Sequence, residues 1–253
     1  LKNEKLSFTN PHMILFGEKS GKRLPGMGCL LVLAALLSLS SCAARTTVVD
    51  RLAPYIQTAA MEKVGQVLLV TEESFLFLTS HKIYPLEKTD SSWRQAMAPM
   101  DTVIGRNGFA PPGEKREGDG RTPSGLFRLK TTFGYPPFVP TRMPYRQSQE
   151  DDLWIDDPND PDYNRWVKQN QTKTASYERM KRDDDLYKYG IVIEYNTNPV
   201  IKGFGSAIFL HVWAGADATT AGCVAASEDD ILKMLGWLNP AKNPVMLINP
   251  DEL

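Results

Sequence analysis

Between residues 208 and 226 the chain reads Ile-Phe-Leu-His-Val-Trp-Ala-Gly-Ala-Asp-Ala-Thr-Thr-Ala-Gly-Cys-Val-Ala-Ala. This stretch constrains the fold more than any other. Residues 207–212 are apolar enough for a buried strand, which delivers His211 at its end. A loop of small residues follows, and Gly222 and Cys223 then stand just ahead of a predicted helix. Thiol chemistry needs a sulfur that ionises, a base within hydrogen-bond reach, and donors for a developing oxyanion. A free thiol has a pKa of about 8.5, so little of it is thiolate at neutral pH without help. His211 is the candidate base for Cys223, because a strand–loop–strand path can set the two side by side. Gly222 leaves the flank of the sulfur bare for a carbonyl to reach the backbone N–H groups of Cys223 and its neighbours, and Thr220 is suited to orient a group or contact substrate. On residue types alone the same pair also reads as a small buried hydrophobe and a structural histidine.

The N-terminus is set apart from the fold. Lys19, Lys22 and Arg23 form a basic patch, and Cys29 to Leu39 is an apolar run of about 11 residues. A bilayer span needs about 20 residues, so this run suits the core of a signal peptide instead. It ends in Leu39-Ser40-Ser41-Cys42, which is similar to the lipobox of bacterial lipoproteins. By that likeness residues 1–41 are removed, Cys42 carries lipid, and the chain is exported and anchored to a membrane facing the periplasm or cell wall. The chain has three cysteines and three histidines. With Cys29 in the signal and Cys42 lipidated, Cys223 is left as the one free thiol of an exported protein, either inert or reactive. His12 precedes the signal, which leaves His81 and His211 as imidazole bases.

The formal net charge of -1 gives no global attraction to nucleic acid. Residues 42–65 read as a tether followed by a short helix at 55–64. Strands are expected at 66–71 and 75–86 around Glu72-Glu73-Ser74, then at 102–106, 126–131, 190–195, 207–212 and 244–248. Ser227-Glu228-Asp229-Asp230 has the form of a helix N-cap with acids in the first turn, so a helix is expected to about Leu238. Residues 250–253 read as a solvated tail. From 135 to 185 prolines, acids and aromatics alternate without periodicity, with 176–186 the best helical candidate. Such a long insertion reads as a wall or lid beside a site, or as a surface elaboration held by its own aromatic cluster. The expected fold class is mainly β with a few helices, in one domain over 66–249.

Three motifs together carry a resemblance: Gly118-Asp119-Gly120-Arg121-Thr122-Pro123-Ser124-Gly125, then Ile208-Phe209-Leu210-His211, then Thr220-Ala221-Gly222-Cys223-Val224. In this combination the chain resembles the L,D-transpeptidase catalytic domain (YkuD) family over nearly all of its length after the signal. The resemblance implies a β-sandwich-like domain in which Cys223 is the nucleophile and His211 its base. It implies attack on peptidoglycan stem peptides at the bond between an L-diamino acid and D-Ala. A thioester forms and passes to an amine of a second stem, giving a 3→3 cross-link, or in some members to water. Gly222 and Thr220 match the family's residues beside the cysteine, Arg121 and Trp213 are candidates for substrate contact, and no cofactor or metal is implied. Three departures bear on the acceptor. Ala221 stands where the family usually has a second histidine, Val224-Ala225-Ala226 lacks the family's arginine, and the gap from His211 to Thr220 is short.

Two other classes are consistent with parts of the sequence. His211 and Asp217 have a spacing that can ligate zinc, with His81 the other imidazole, although a catalytic zinc usually has three protein ligands. A non-catalytic wall-binding lipoprotein would retain Cys223 as an unreactive thiol.

Overall fold

The computed structural model describes residues 47–90 and 92–253. The apolar run and Cys42 lie outside the described residues. From residue 47 onward the described chain forms one compact unit. It opens with a 3₁₀ turn, Asp50–Leu52, a short helix α1 (Ala53–Ile56) and a second 3₁₀ turn, Ala59–Met61. Strands β1 (Gln66–Phe75), β2 (Leu78–Thr89), β3 (Ser92–Gln95) and β4 (Met100–Val103) follow. Then come β5 (Phe109–Ala110), β6 (Thr122–Pro123), β7 (Gly125–Gly134) and β8 (Tyr145–Gln147). The insertion contributes β9 (Asp152–Ile155), β10 (Trp166–Lys168) and β11 (Tyr177–Arg179). The chain finishes with β12 (Tyr189–Ile193), β13 (Phe209–Val212), β14 (Val224–Ala226), helix α2 (Glu228–Trp237) and β15 (Val245–Ile248). The fold is mainly β, as the sequence predicts.

The principal sheet runs β1-β15-β7-β12-β13-β14-β4-β2-β3, and β1 also pairs with β2. The strand path therefore closes on itself, which removes most exposed edges. Most neighbours are antiparallel, but β13 and β14 are parallel, with Leu210 opposite Val224 and His211 opposite Ala225. Alternation sorts their side chains between two faces. Leu210, Val212, Val224 and Ala226 point into the main core, where α2 packs Ile231, Met234 and Leu235 at helical spacing. Phe209 and Cys223 point the other way, into a second cluster with Phe133, Trp154, Met180 and Tyr187. Helix α2 begins as expected: the Ser227 side chain accepts from Asp230 N and three acids fill the first turn.

Several local expectations are corrected. The β1–β2 turn falls at Leu76-Phe77, since Phe75 pairs with Leu78 and Glu72 pairs with His81 inside the ladder. The predicted helix at 176–186 is instead β11, an edge strand of the three-stranded sheet β10-β9-β11. Cys223 does not lead directly into a helix, because β14 intervenes and makes it the entry to a parallel strand. Residues 47–64 pack onto the fold: Leu52, Met61 and Val64 are buried with Val67, Leu69, Leu86, Val245 and Leu247. The helical part of this segment is only Ala53–Ile56, flanked by the two 3₁₀ turns. The C-terminal residues are tied down, with the Tyr55 hydroxyl donating to Pro250 O at 2.6 Å and Arg51 lying 3.7 Å from Asp251.

Candidate functional site

Because β13 and β14 are parallel, Cys223 lies opposite Phe209 and His211 lies opposite Ala225. The thiol and the imidazole thus share one face of the sheet on adjacent strands, two residues apart along the strand direction. Both line one cavity of about 390 Å³, together with Trp213, Thr220, Ala221 and Gly222. Asp156, Glu178 and Arg182 of the insertion line it too, with Leu186 and Tyr187 just after the insertion. The insertion is a wall of the cavity, and its aromatic cluster is the means by which it is fixed there. Trp154 meets Phe209 edge to face at 4.9 Å and Tyr187 meets His211 at 5.2 Å.

The backbone around the sulfur is held by two threonines. Thr220 Oγ1 donates to Cys223 O at 2.7 Å and accepts from Gly222 N at 3.1 Å. Thr122 Oγ1 donates to the same carbonyl at 3.2 Å and accepts from Gly105 N at 2.9 Å. The glycine-rich turn before β7 therefore supports the cysteine from beneath. Gly222 has φ +148°, and a Cβ there would stand 2.9 Å from Arg121 O. Only glycine fits both that conformation and that approach. Among the described residues no acceptor takes the Cys223 N–H, so it is available as an oxyanion donor.

The sulfur and the ring are both deeply buried, 8% and 7% exposed. Cys223 donates to Ala207 O at 3.2 Å and its sulfur accepts from Phe209 N at 3.4 Å. Ala207 presents that carbonyl from a left-handed conformation, φ +52°, with its N–H held by Asn164 Oδ1 at 3.1 Å. His211 Nδ1 lies 2.8 Å from Val212 O. A carbonyl only accepts, so Nδ1 carries the proton and Nε2 is the basic nitrogen of the neutral ring. No hydrogen bond joins His211 to Cys223 among the described residues; each is engaged with a main-chain carbonyl. Burial pushes the thiol up to about 12, only partly offset by the Phe209 N–H. Burial lowers His211 to about 4, against the raising effect of the Val212 and Leu186 carbonyls. At neutral pH the resting pair is a thiol and a neutral imidazole.

The remaining wall is charged. Burial raises the carboxyls of Glu178 and Asp156, with neighbouring acids adding to the effect and Arg182 opposing it at Glu178. Glu117 accepts from the hydroxyls of Tyr163 and Ser206. Lys115, buried in the same wall, pairs with Asp119 at 2.5 Å.

Of the residues singled out by sequence, Cys223, His211, Gly222, Thr220 and Trp213 line the cavity, and Arg121 does not. The Arg121 side chain is exposed, and what it contributes is its backbone: its N–H donates to Asp119 and its carbonyl faces Gly222. Cys42 lies outside the described residues. His81 and Asp217 line no part of the cavity; His81 sits on β2, 3.5 Å from Glu72. Among the described residues no cluster of three or more His, Cys, Asp or Glu is arranged to hold a metal ion. Sequence reasoning missed Lys115, Glu117, Thr122 and Tyr187. Only Thr122 left a trace, as part of the glycine-rich motif.

Residues 78–247 match the family model of the YkuD L,D-transpeptidase catalytic domain. No curated protein and no solved structure matches the chain. The matched span covers most of the sequence and contains both the glycine-rich turn and the Gly222–Cys223 pair: the chain belongs to the YkuD family of L,D-transpeptidase catalytic domains.

Proposed function

We propose that the protein is a peptidoglycan-modifying cysteine acyltransferase in which Cys223 is the nucleophile and His211 the base. The observation that carries this reading is the common cavity of the two side chains, on one face of adjacent parallel strands. As substrate enters, the Cys223 proton passes to His211 Nε2 and sulfur attacks the carbonyl of the stem peptide's diamino acid. Cys223 N–H stabilises the oxyanion. The C–N bond to the terminal D-Ala breaks, and the imidazolium returns its proton to the leaving amine. An amine of a second stem then attacks the thioester, loses a proton to His211 and regenerates the thiol. The thiol and imidazole need not touch at rest, because catalytic hydrogen bonds often tighten only with substrate bound. The small residues Ala214, Ala218, Thr219 and Ala221 line the cavity, and Ala221 in place of the family's histidine leaves room for an acceptor.

The burial of the thiol favours one other reading, a wall-binding protein whose cysteine never ionises. The lipobox-like Leu39-Ser40-Ser41-Cys42 supports export and lipid anchoring at Cys42, so that the domain faces the wall polymer. Purified disaccharide-tetrapeptide incubated with the domain, with Cys223→Ala as control, separates these readings. Cross-linked dimers lacking one D-Ala are the expected product. Monomers that lost D-Ala and gained water mean a carboxypeptidase. Unchanged substrate with both proteins leaves the binding protein.

A further inference from the structure

Lys115 is a buried cation in the cavity wall with no role in the steps above. It is 4% exposed. Its stem runs against Gly205, where a Cβ would meet Lys115 Cε and Cγ at 3.1 Å. Its Nζ ends 3.6 Å from the point where a Gly222 Cβ would be, beside the nucleophile. Two glycines thus clear the path of one lysine. The ammonium has three donors. One goes to Arg116 O at 2.8 Å and one to Asp119 Oδ1 at 2.5 Å. Asp119 is shared with two backbone donors, Arg116 N at 2.7 Å and Arg121 N at 2.8 Å, so it does not serve the lysine alone. Glu117, the other nearby acid, is engaged by the Tyr163 and Ser206 hydroxyls. Two acceptors account for two of the three donors, so a third N–H remains for the cavity, where Nζ stands beside Gly222. A buried N–H left without an acceptor costs free energy, which a ligand oxygen placed there would recover.

We propose that the Lys115 ammonium recognises the free C-terminal carboxylate of the residue expelled during acyl transfer. This deepens the reading of the same site given above and rests on it. The carboxylate carbon of the leaving residue lies three bonds beyond the attacked carbonyl carbon, within about 4 Å of it. With that carbonyl at Cys223, a leaving residue turned toward Gly222 brings its carboxylate within reach of Nζ. The site then selects stems that finish one residue past the attacked bond and discriminates against longer or amidated stems.

The test compares a stem tetrapeptide with its C-terminal carboxamide, using wild type, Lys115→Met and Lys115→Arg. Wild type is expected to prefer the acid in kcat/KM by about 10- to 100-fold, the range of a charge-assisted hydrogen bond. Lys115→Met should lose that factor on the acid alone, and Lys115→Arg should keep part of it. Equal rates of wild type on acid and amide overturn the proposal. So does an equal loss on both substrates in Lys115→Met, which would mean that the lysine serves the sulfur. Calorimetric binding of acid and amide to Cys223→Ala gives a readout without chemistry and without altering Lys115. A preference for the acid there, with no turnover by wild type, would sink the acyl-transfer reading and leave the carboxylate site standing. Equal binding would sink the carboxylate site even if wild type turns over.

Discussion

At the scale of single residues, the proposed nucleophile is a thiol kept protonated by burial. With the thiol pushed up to about 12, alkylation of the folded protein by iodoacetamide should accelerate through pH 10 without levelling near 8.5. A plateau near 8.5 would mean an ordinary accessible thiol. His211 has the opposite sign. Its folded pKa of about 4 lies below the ordinary 6.5, so the unfolded chain binds more protons between those values. The stability it contributes is full above pH 6.5 and is lost as pH falls toward 4, on the order of 3 kcal/mol in all. The raised carboxyls of Glu178 and Asp156 act against this slope, so the comparison that isolates it is wild type against His211→Gln in urea titrations across that window. A wild-type slope no steeper than the variant's would contradict the buried neutral ring. Gly222→Ala should cost about 1–3 kcal/mol and at least tenfold in turnover, because it strains the backbone and closes the approach to Arg121 O. The cysteine, histidine and glycine were legible because their types are rare or tied to one chemistry. Lys115 was not: in Pro-Pro-Gly-Glu-Lys-Arg-Glu it reads as one charge in a solvated run, and only the folded loop shows that it is buried.

At the scale of elements, the parallel β13–β14 pair sets the geometry and the insertion encloses it. The sequence pointed to β13 through its apolar run and to α2 through its Ser227 cap. It hid β14, because three small residues between a cysteine and a cap carry almost no periodic signal. It also hid β11, whose Tyr-Glu-Arg is polar and gains its partner only from β9, more than twenty residues away. Trp154 ties this small sheet to the site, packing on Phe209 while its indole N–H donates to Asn164 at 2.9 Å. Trp154→Ala should therefore cost about 3–5 kcal/mol and speed alkylation of Cys223, as the wall loosens over the sulfur. A stability loss with an unchanged alkylation rate would show that the insertion does not control access to the thiol.

At the scale of the whole molecule, a closed sheet carries the cavity that holds Cys223 and His211, and we propose that a lipid at Cys42 keeps that cavity near the wall. Expressed with its N-terminus intact, the chain should incorporate labelled palmitate and fractionate with membranes, and Cys42→Ser should do neither. Soluble, unlabelled wild type would leave an ordinary cleaved signal. The β class and single-domain extent were readable from strand-sized apolar runs and the absence of βαβ alternation. The β1–β2 hairpin was readable from two adjacent strand-like runs, but the pairing of β1 with β15 was not, because it joins residues remote in sequence. Every step proposed for the site depends on Cys223 forming the acyl bond. Intact-protein mass after brief mixing with a stem tetrapeptide tests it most directly. Wild type should carry an adduct equal to the substrate less D-Ala, lost on hydroxylamine treatment and absent from Cys223→Ala. Turnover that survives in Cys223→Ala, with no adduct on wild type, would contradict it.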